Sequence, residues 1–451
     1  MSWDFAEINP FSGEMGGWES ALDWVVRVTN NCSWIESTAD PVRASATALP
    51  FDSNSIDGVI TDPPYYDAVP YADLSDFFYV WHKRVLRPFF PDLFSTPLTP
   101  KSKELVQQSE RVTSESRRKK DRTFYESGMR DSFKEIRRVL VPSGIVGVMF
   151  AHKTTTAWEA LIEGLMQGGL QVTASWPIHT EMTGGMVKVG RAVLASSILL
   201  VCRKRSTDAG NGLWDDVRRE LQEVAKERLV FFWSQGIRGA DFFISAIGPA
   251  LSVFGRYERV TKLSGEEVTV GQFLDEVRAI VTSFALEKIL HTRHTSIIDT
   301  ESRFFVVWKW SYGEVKVPAD ESFKLAQALG LDTDTLWDKT GVLEKSGENV
   351  QATPIGKRIK IKNLGEPAAD GTPSSLIDVL HRMCAFREKG DTQGMAQFLN
   401  RSGHANNHSL WLIAQAVSEI LLDGDKEKQL MQGLLNQKEG LVEATRQREL
   451  F

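Results

Sequence analysis

The residues with the clearest chemical potential are the tetrad Asp62-Pro63-Pro64-Tyr65. They directly follow Ile56–Thr61, a short run rich in β-formers, and two consecutive prolines cannot continue a central strand. The chain must therefore turn at this point, and in open α/β sheets the strand ends border the ligand crevice. A strand-ending turn without chemistry is the alternative interpretation, because Asp and Pro are common turn residues.

The sequence around the tetrad favours a functional site. Leu49–Thr61 precedes it, and aromatic residues follow it closely: Tyr65, Tyr66, Tyr71, Phe77, Phe78, Tyr79 and Trp81. In this context the chain resembles the amino-methyltransferases of DNA, whose signature is Asp-Pro-Pro-Tyr. It is more similar still to one family of large prokaryotic DNA methylases, and the likeness covers nearly the whole chain. The matching stretches are Thr61–Ala68, Pro70–Phe78, Phe150–Lys153, Ala174–Ile178 and Gly236–Phe243.

The resemblance implies transfer of a methyl group from S-adenosylmethionine to an exocyclic amine of DNA. Such an amine is a poor nucleophile because its lone pair is delocalised into the ring. The Asp62 carboxylate and the Pro63 carbonyl would accept hydrogen bonds from the amine protons and favour a pyramidal nitrogen. Pro63 and Pro64 would stiffen the loop, since in-line transfer depends on positioning. Tyr65 would stack on the flipped base, an interaction worth ~1–3 kcal/mol.

Four further residues are candidates for the base pocket, each with a structural alternative. Tyr66 either lines the pocket or packs within the protein. Asp67 either belongs to the pocket or supports a residue that does. His152 and Lys153 follow the next predicted strand and share the sheet edge of Asp62, although a lone histidine is more often structural. Asp73 and Asp76 are expected to cap a helix or face solvent.

A basic segment follows the tetrad. Residues 83–138 contain 15 Lys/Arg and 8 Asp/Glu in a chain whose net charge is −6. Its centre is Arg117–Arg122, and Arg117, Arg118, Lys119 and Lys120 are candidate contacts to DNA phosphates. The alternative is a solvated loop, which charge runs usually form.

The methyl-donor side of such a site is not recognisable in the sequence. S-adenosylmethionine is normally held by a Phe-x-Gly-x-Gly loop after a strand. Asn9–Gly17 has its second glycine one place late and is interpreted as a loop before the helix Trp18–Val28. Ser45 stands where such enzymes often have an acidic cofactor contact. The cofactor-binding residues are thus unknown, and the chain resembles the C-terminal part of such a methylase. It is expected to be a split subunit that binds the cofactor with a separate N-terminal methylase subunit, a truncated reading frame or a remnant.

The first half of the chain has the pattern of an α/β protein. Apolar runs predict strands at 56–61, 145–150, 170–176 and 193–201, and helical spacing separates them around 133–140 and 158–166. This order indicates a sheet that is mainly parallel with an antiparallel edge pair. The expected fold class is a Rossmann-like methyltransferase sheet, complete or incomplete, followed by a mostly helical C-terminal region.

The second half is richer in helical patterns. Ser322–Leu329, Thr333–Lys339 and the hairpin-like Val342–Thr353 have the order of a winged helix, with Ser346–Asn349 as the turn. The predicted domains are a catalytic domain (1–206), a helical domain (207–310), a winged-helix-like unit (311–370) and a C-terminal helical region (371–451).

Composition limits the remaining possibilities. The acidic net charge excludes the class of basic proteins that bind polyanions over their whole surface. Three widely separated cysteines argue against a disulfide framework and a zinc site, so no metal is expected. The best apolar run, Ala192–Cys202, is too short for a membrane span of ~20 residues, and the acidic N-terminus is not a signal peptide. A cytoplasmic protein without membrane contact is expected.

Two functions follow from these observations. One is a DNA methyltransferase of a restriction-modification or phage-defence system, acting on adenine N6 with cytosine N4 as the variant. The other is a non-catalytic DNA-binding or assembly subunit that has lost the donor site. The intact tetrad favours the first function and the missing glycine loop favours the second. RNA is a weaker third possibility as substrate.

Overall fold

The computed structural model describes residues 9–13, 16–35, 37, 39–64, 70–102, 104–107, 120–150, 155–178, 197–331, 336–337, 341–367, 371–404 and 406–441. The chain divides into two compact units, Met1–Ser45 and Ala46–Phe451. The described part of the first unit contains one helix, α1 (Trp18–Cys32), which begins where the sequence predicted and extends four residues further. None of the side chains of α1 is buried.

A mixed four-stranded sheet forms the α/β part of the second unit. Its strands are β1 (Ile56–Thr61), β2 (Leu140–Phe150), β3 (Leu170–Ile178) and β4 (Ser197–Lys204). The spatial order is β1-β2-β4-β3, with β1 parallel to β2 and β4 antiparallel to both β2 and β3. The four predicted strands are therefore present, but the sheet has one parallel pair where mainly parallel pairing was expected.

Three helices accompany the strands: α2 (Tyr71–Leu86), α3 (Arg122–Val139) and α4 (Thr155–Gln167). On α3, Tyr125, Met129, Phe133 and Ile136 recur every three or four residues and are buried. On α4, Trp158, Leu161, Ile162 and Leu165 are buried, as their spacing predicted. By contrast, α2 has no buried residue.

A helical layer continues directly from the sheet. It contains α5 (Trp214–Ser234), α6 (Gly239–Phe254) and α7 (Val270–Ile289), and a short parallel pair, β5 (Asn211–Leu213) with β6 (Arg259–Thr261). Helix α6 packs against β3 where Gly248 meets Ser175: a Cβ on Gly248 would lie 2.0 Å from Ser175 Oγ. One hydrophobic core thus runs from the sheet through α7.

The remaining elements surround a second hydrophobic core. They are α8 (Thr300–Tyr312), β7 (Val317–Pro318), α9 (Ala319–Leu329), β8 (Leu343–Ser346), β9 (Asn349–Ala352), α10 (Ile355–Arg358), α11 (Leu376–Glu388), α12 (Thr392–Arg401), α13 (His408–Ile420) and α14 (Lys426–Asn436). The two cores divide between Phe284 and Ala285, whereas the proposed domain boundaries at 206, 310 and 370 stay predictions.

The elements of the expected winged-helix unit are found in part. Helix α9 and the hairpin of β8 and β9 occupy the predicted positions, with Gly347 at φ +63° in the turn. Strand β7 adds to this hairpin in the order β7-β9-β8. Of the second predicted helix, Thr333–Lys339, only Leu336 and Trp337 belong to the described residues, and they form a turn.

Buried charges tie the second core together. The Glu427 carboxylate lies 2.7 Å from Lys309 Nζ and 2.8 Å from His381 Nε2, and all three side chains are almost completely buried. Arg358 donates to His381 Nδ1 at 3.0 Å, so the other ring nitrogen carries the proton and donates to Glu427. Burial opposes ionisation of Glu427, but Lys309 and His381 outweigh it and lower its pKa. These charges connect α8, α10, α11 and α14.

Across the described residues, no helix has the length and apolar character needed to span a membrane.

Replacing Glu427 by Gln should lower the free energy of unfolding by about 3 kcal/mol, because Lys309 loses a buried counter-charge. The double variant Lys309→Met/Glu427→Met should be less destabilised than the sum of the Lys309→Met and Glu427→Met effects. Urea unfolding of the set gives the coupling free energy. Additive losses would contradict a direct interaction between the two charges.

Gly248→Ala should lower the free energy of unfolding by about 1–3 kcal/mol, because the new methyl group overlaps Ser175. Adding Ser175→Gly should restore much of this loss. Gly356→Ala is the matched control: a Cβ there meets no atom within 4 Å, so this helical position should tolerate alanine. Equal stabilities for Gly248→Ala and Gly356→Ala would contradict the close approach of α6 to β3.

Candidate functional site

Asp62 lies at the carboxyl end of β1. Because β1 is parallel to β2, with Thr61 beside Val148, the carboxyl ends of both strands reach the same edge of the sheet. The Asp62 side chain is solvent-accessible, yet partial desolvation raises its pKa. A carboxylate capable of accepting hydrogen bonds therefore stands at the strand end, where the sequence predicted it.

The two prolines after Asp62 are held from the hydrophobic core. Pro63 is buried, and the Pro64 carbonyl accepts a 2.9 Å hydrogen bond from the hydroxyl of Tyr125 on α3. Tyr125 has no exposed surface. A buried tyrosine hydroxyl requires a polar partner. The sequence analysis did not identify Tyr125, although its spacing from Met129 and Phe133 places it on the apolar face of the same helix.

An Arg138–Glu135 pair on α3 holds the segment that leads into β1. Arg138 donates to the carbonyls of Leu49 (3.1 Å) and Phe51 (2.8 Å), and the Leu49 amide donates to Glu135 at 3.0 Å. Hydrogen bonding to Arg138 lowers the pKa of Glu135. The amide of Ser55 donates to the Val139 carbonyl at 2.8 Å. The start of β1 is thereby fixed to the end of α3.

A strap, residues 94–102 and 104–107, returns along α2 after the tetrad. Thr99 and Lys101 bind the carboxylate of Asp76, and the Ala72 amide donates to Glu104 at 2.8 Å. The hydrogen bonds from Lys101 and Thr99 lower the pKa of Asp76 to about 2. The expectation that Asp76 caps a helix or faces solvent is therefore wrong: it attaches the strap to α2.

Lys120 has a different place from the one expected of a DNA-phosphate contact. Only 4% of it is exposed, its ammonium lies 3.8 Å from the Glu104 carboxylate, and it donates to the Lys101 carbonyl. Its positive charge thus interacts with Glu104 and the Lys101 carbonyl, which stabilises the strap. The other three candidates, Arg117, Arg118 and Lys119, lie outside the described residues.

The structure brings together only part of the predicted site. Asp62, Pro63 and Pro64 are described and are joined by Tyr125, a residue that the sequence analysis missed. The remaining candidates of the tetrad and the base pocket lie outside the described residues; they are Tyr65, Tyr66, Asp67, His152 and Lys153.

Two of the stretches that carry the resemblance belong to elements that pack against each other. Ala174–Ile178 belongs to β3, and Gly236–Phe243 leads into and begins α6, which packs against β3. Since β3 and β1 are at opposite edges of the sheet, these stretches lie away from Asp62. Their place in the fold is the connection between the sheet and the helical layer.

The described residues do not form a recognisable donor site or metal site. Asn9–Ser12 is a turn in which the Ser12 amide donates to the Asn9 carbonyl at 3.0 Å, and α1 follows it. No group of three or more His, Cys, Asp or Glu within the described ranges is arranged to hold a metal ion. The described geometry thus provides hydrogen-bond acceptors at Asp62 but does not fit S-adenosylmethionine by itself.

Comparisons of the chain with protein-family models, curated proteins and solved structures give no match.

Tyr125→Phe should loosen the turn after Asp62 and lower the free energy of unfolding by about 1 kcal/mol, because the Pro64 carbonyl loses its buried donor. Hydrogen exchange followed by mass spectrometry should show faster exchange in peptides that contain residues 60–70. Tyr79→Phe is a matched control, because the Tyr79 hydroxyl donates to the Thr96 carbonyl of the strap at 2.8 Å. Faster exchange at 60–70 in both variants, or in neither, would contradict a specific role of Tyr125.

Proposed function

We propose that this chain is the acceptor-side part of an S-adenosylmethionine-dependent DNA methyltransferase. Its target would be an exocyclic amine of a flipped base, with adenine N6 as the first choice and cytosine N4 as the variant. The single observation that carries this proposal is the position of Asp62 at a strand end, next to two prolines of which the second is held by a buried tyrosine.

The local geometry matches the requirements of the acceptor side. Among the described residues, none donates a hydrogen bond to the Pro63 carbonyl, while the next carbonyl is occupied by Tyr125. Asp62 and the Pro63 carbonyl are thus two acceptors on a segment of restricted flexibility. Such a pair would bind both protons of an amine and direct the nitrogen lone pair away from the base plane. S-adenosylmethionine would supply the methyl group from another part of the enzyme.

The uncovered side of β1 supports a separate donor subunit. Parallel strands are normally buried on both faces, yet Ile60 of β1 is 80% exposed. Among the described strands, β2 alone pairs with β1, so the other edge of β1 presents unpaired backbone groups. We infer that a second polypeptide, one that carries the glycine loop, pairs with this edge and completes a Rossmann-like sheet next to Asp62.

A second candidate function is that of a non-catalytic DNA-binding or assembly subunit. The observation that favours it is the lack of a donor site among the described residues, where Asn9–Ser12 forms a simple turn before α1. This function needs the same uncovered edge of β1 but no chemistry at Asp62.

Methyl transfer from labelled S-adenosylmethionine to unmethylated genomic DNA tests the proposal. The chain would be assayed alone and with a polypeptide that carries the glycine loop, such as the product of an adjacent upstream reading frame. Asp62→Asn should lower the rate by about 100-fold or more, because the amide cannot replace a charged acceptor. Chromatography of the hydrolysed DNA would distinguish N6-methyladenine from N4-methylcytosine.

Asp208→Asn is the matched control for this experiment, since Asp208 is an exposed carboxylate outside β1 and outside the edge to which the second polypeptide would bind. It should leave the rate unchanged. Incorporation that survives Asp62→Asn would contradict the assigned role of Asp62. DNA binding without incorporation, even with the second polypeptide bound, would favour the non-catalytic function.

A further inference from the structure

A groove of about 880 Å³ lies beside the second half of α2. One wall is a single stripe of the helix and its extension, Val80, Lys83, Arg84 and Arg87, at the i, i+3, i+4, i+7 spacing of one helix face. The other wall is the returning loop, residues 88–97, with Pro88, Pro91 and Pro97. Sites of roughly 300–1,000 Å³ hold whole small ligands, so a nucleotide unit fits this volume.

The groove is strongly cationic. Three of its lining residues carry a positive charge, and none of the described lining residues carries a carboxylate. From Phe77 to Pro91 the sequence contains no Asp or Glu. The nearest preceding carboxylate, Asp76, is bound by Lys101. Lys83, Arg84 and the C-cap residue Arg87 also complement the dipole of α2, which is the structural alternative for their charges.

Aromatic side chains border the same cations. Arg84 stacks over the Trp81 ring, with 5.3 Å between the guanidinium carbon and the ring centroid, and 57% of Trp81 is exposed. A stacked guanidinium keeps its in-plane N–H groups directed outward, and phosphate oxygens are suitable acceptors. Phe77, Phe89 and Phe90 are also exposed.

The groove also has a rigid frame. The Tyr79 hydroxyl donates to the Thr96 carbonyl at 2.8 Å, and Lys83 donates to the same carbonyl. The Tyr79 ring packs on buried Phe94 with 5.5 Å between centroids. The returning loop is therefore attached to α2, and the two walls keep their spacing without a ligand.

We propose that this groove binds single-stranded DNA, with Arg84 and Arg87 contacting phosphates and Trp81 stacking on an unpaired base. Cationic grooves with exposed aromatic rings are the recurrent solution for single-stranded nucleic acid, because every base has a face on which to stack. Charge complementarity favours a polyanion over an apolar protein partner. The inference extends the proposed function, because base extrusion creates unpaired DNA, but binding can be measured without methyl transfer.

Fluorescence anisotropy with a labelled single-stranded oligonucleotide, titrated at several salt concentrations, tests the groove. Arg84→Gln/Arg87→Gln should weaken binding by about tenfold. The slope of log Kd against the logarithm of the salt concentration should fall by about 0.7 for each lost phosphate contact. Trp81→Ala should weaken binding by about fivefold or more with the salt dependence unchanged, since stacking releases no counterions. Circular dichroism and thermal unfolding verify that each variant is folded.

Arg219→Gln/Arg256→Gln is the matched control. It removes the same charge, but these arginines bind Asp216 and Glu220 on and near α5. This control should retain wild-type affinity. Loss of affinity equal to that of the groove variants would show a general charge effect and overturn the proposal.

Other results would also overturn the groove as a single-strand site. They are absence of binding by the wild-type chain, tighter binding of the matching duplex with no effect of Trp81→Ala, and groove variants that lose a protein partner while they keep DNA affinity. Methyl transfer is measured separately. A chain that binds single-stranded DNA as expected but transfers no methyl group contradicts the proposed function and leaves the groove assignment supported.

Discussion

The parallel pairing of β1 with β2 is the constraint on which the candidate site depends. Among the described strands, β1 has no other partner. The hydrogen bonds between β1 and β2 therefore set the position of Asp62, along the strand direction, relative to the end of β2. A change of register by one residue would reverse the direction of every side chain on β1. The contacts around the strand restrict this movement: Arg138 and Glu135 hold its beginning, and Tyr125 holds Pro64 beyond its end.

One helix, α3, supplies these contacts at both ends of β1. Its apolar face packs in the core, while Tyr125 near its first turn and Arg138 in its last turn bind backbone carbonyls of the segments on either side of β1. The strap adds a second attachment through Asp76, Glu104 and Lys120. The segment around Asp62 is thus held by hydrogen bonds from within the protein.

The two proposals assign different surfaces to different partners. The uncovered edge of β1 and exposed Ile60 suit a polypeptide that extends the sheet, whereas the groove beside α2 suits a polyanion because of Lys83, Arg84 and Arg87. The sequence alone places the candidate DNA-phosphate contacts of the basic segment in its densest part, Arg117–Lys120. Lys120 proves to be internal, and the described cations in an open groove come from the beginning of the segment.

The sequence alone determined the features that depend on local pattern. Apolar runs located the four strands, helical spacing located α4 and the second half of α3, and the two prolines located the end of β1 before Asp62. Tertiary structure decided what depends on contacts between distant residues. Tyr125 and Pro64 are 61 positions apart, so no local pattern indicates their hydrogen bond. Likewise, Lys120 is an exposed cation by composition, and only its burial beside Glu104 shows otherwise. Strand direction was also beyond the sequence, because parallel and antiparallel neighbours of a buried strand require the same apolar residues.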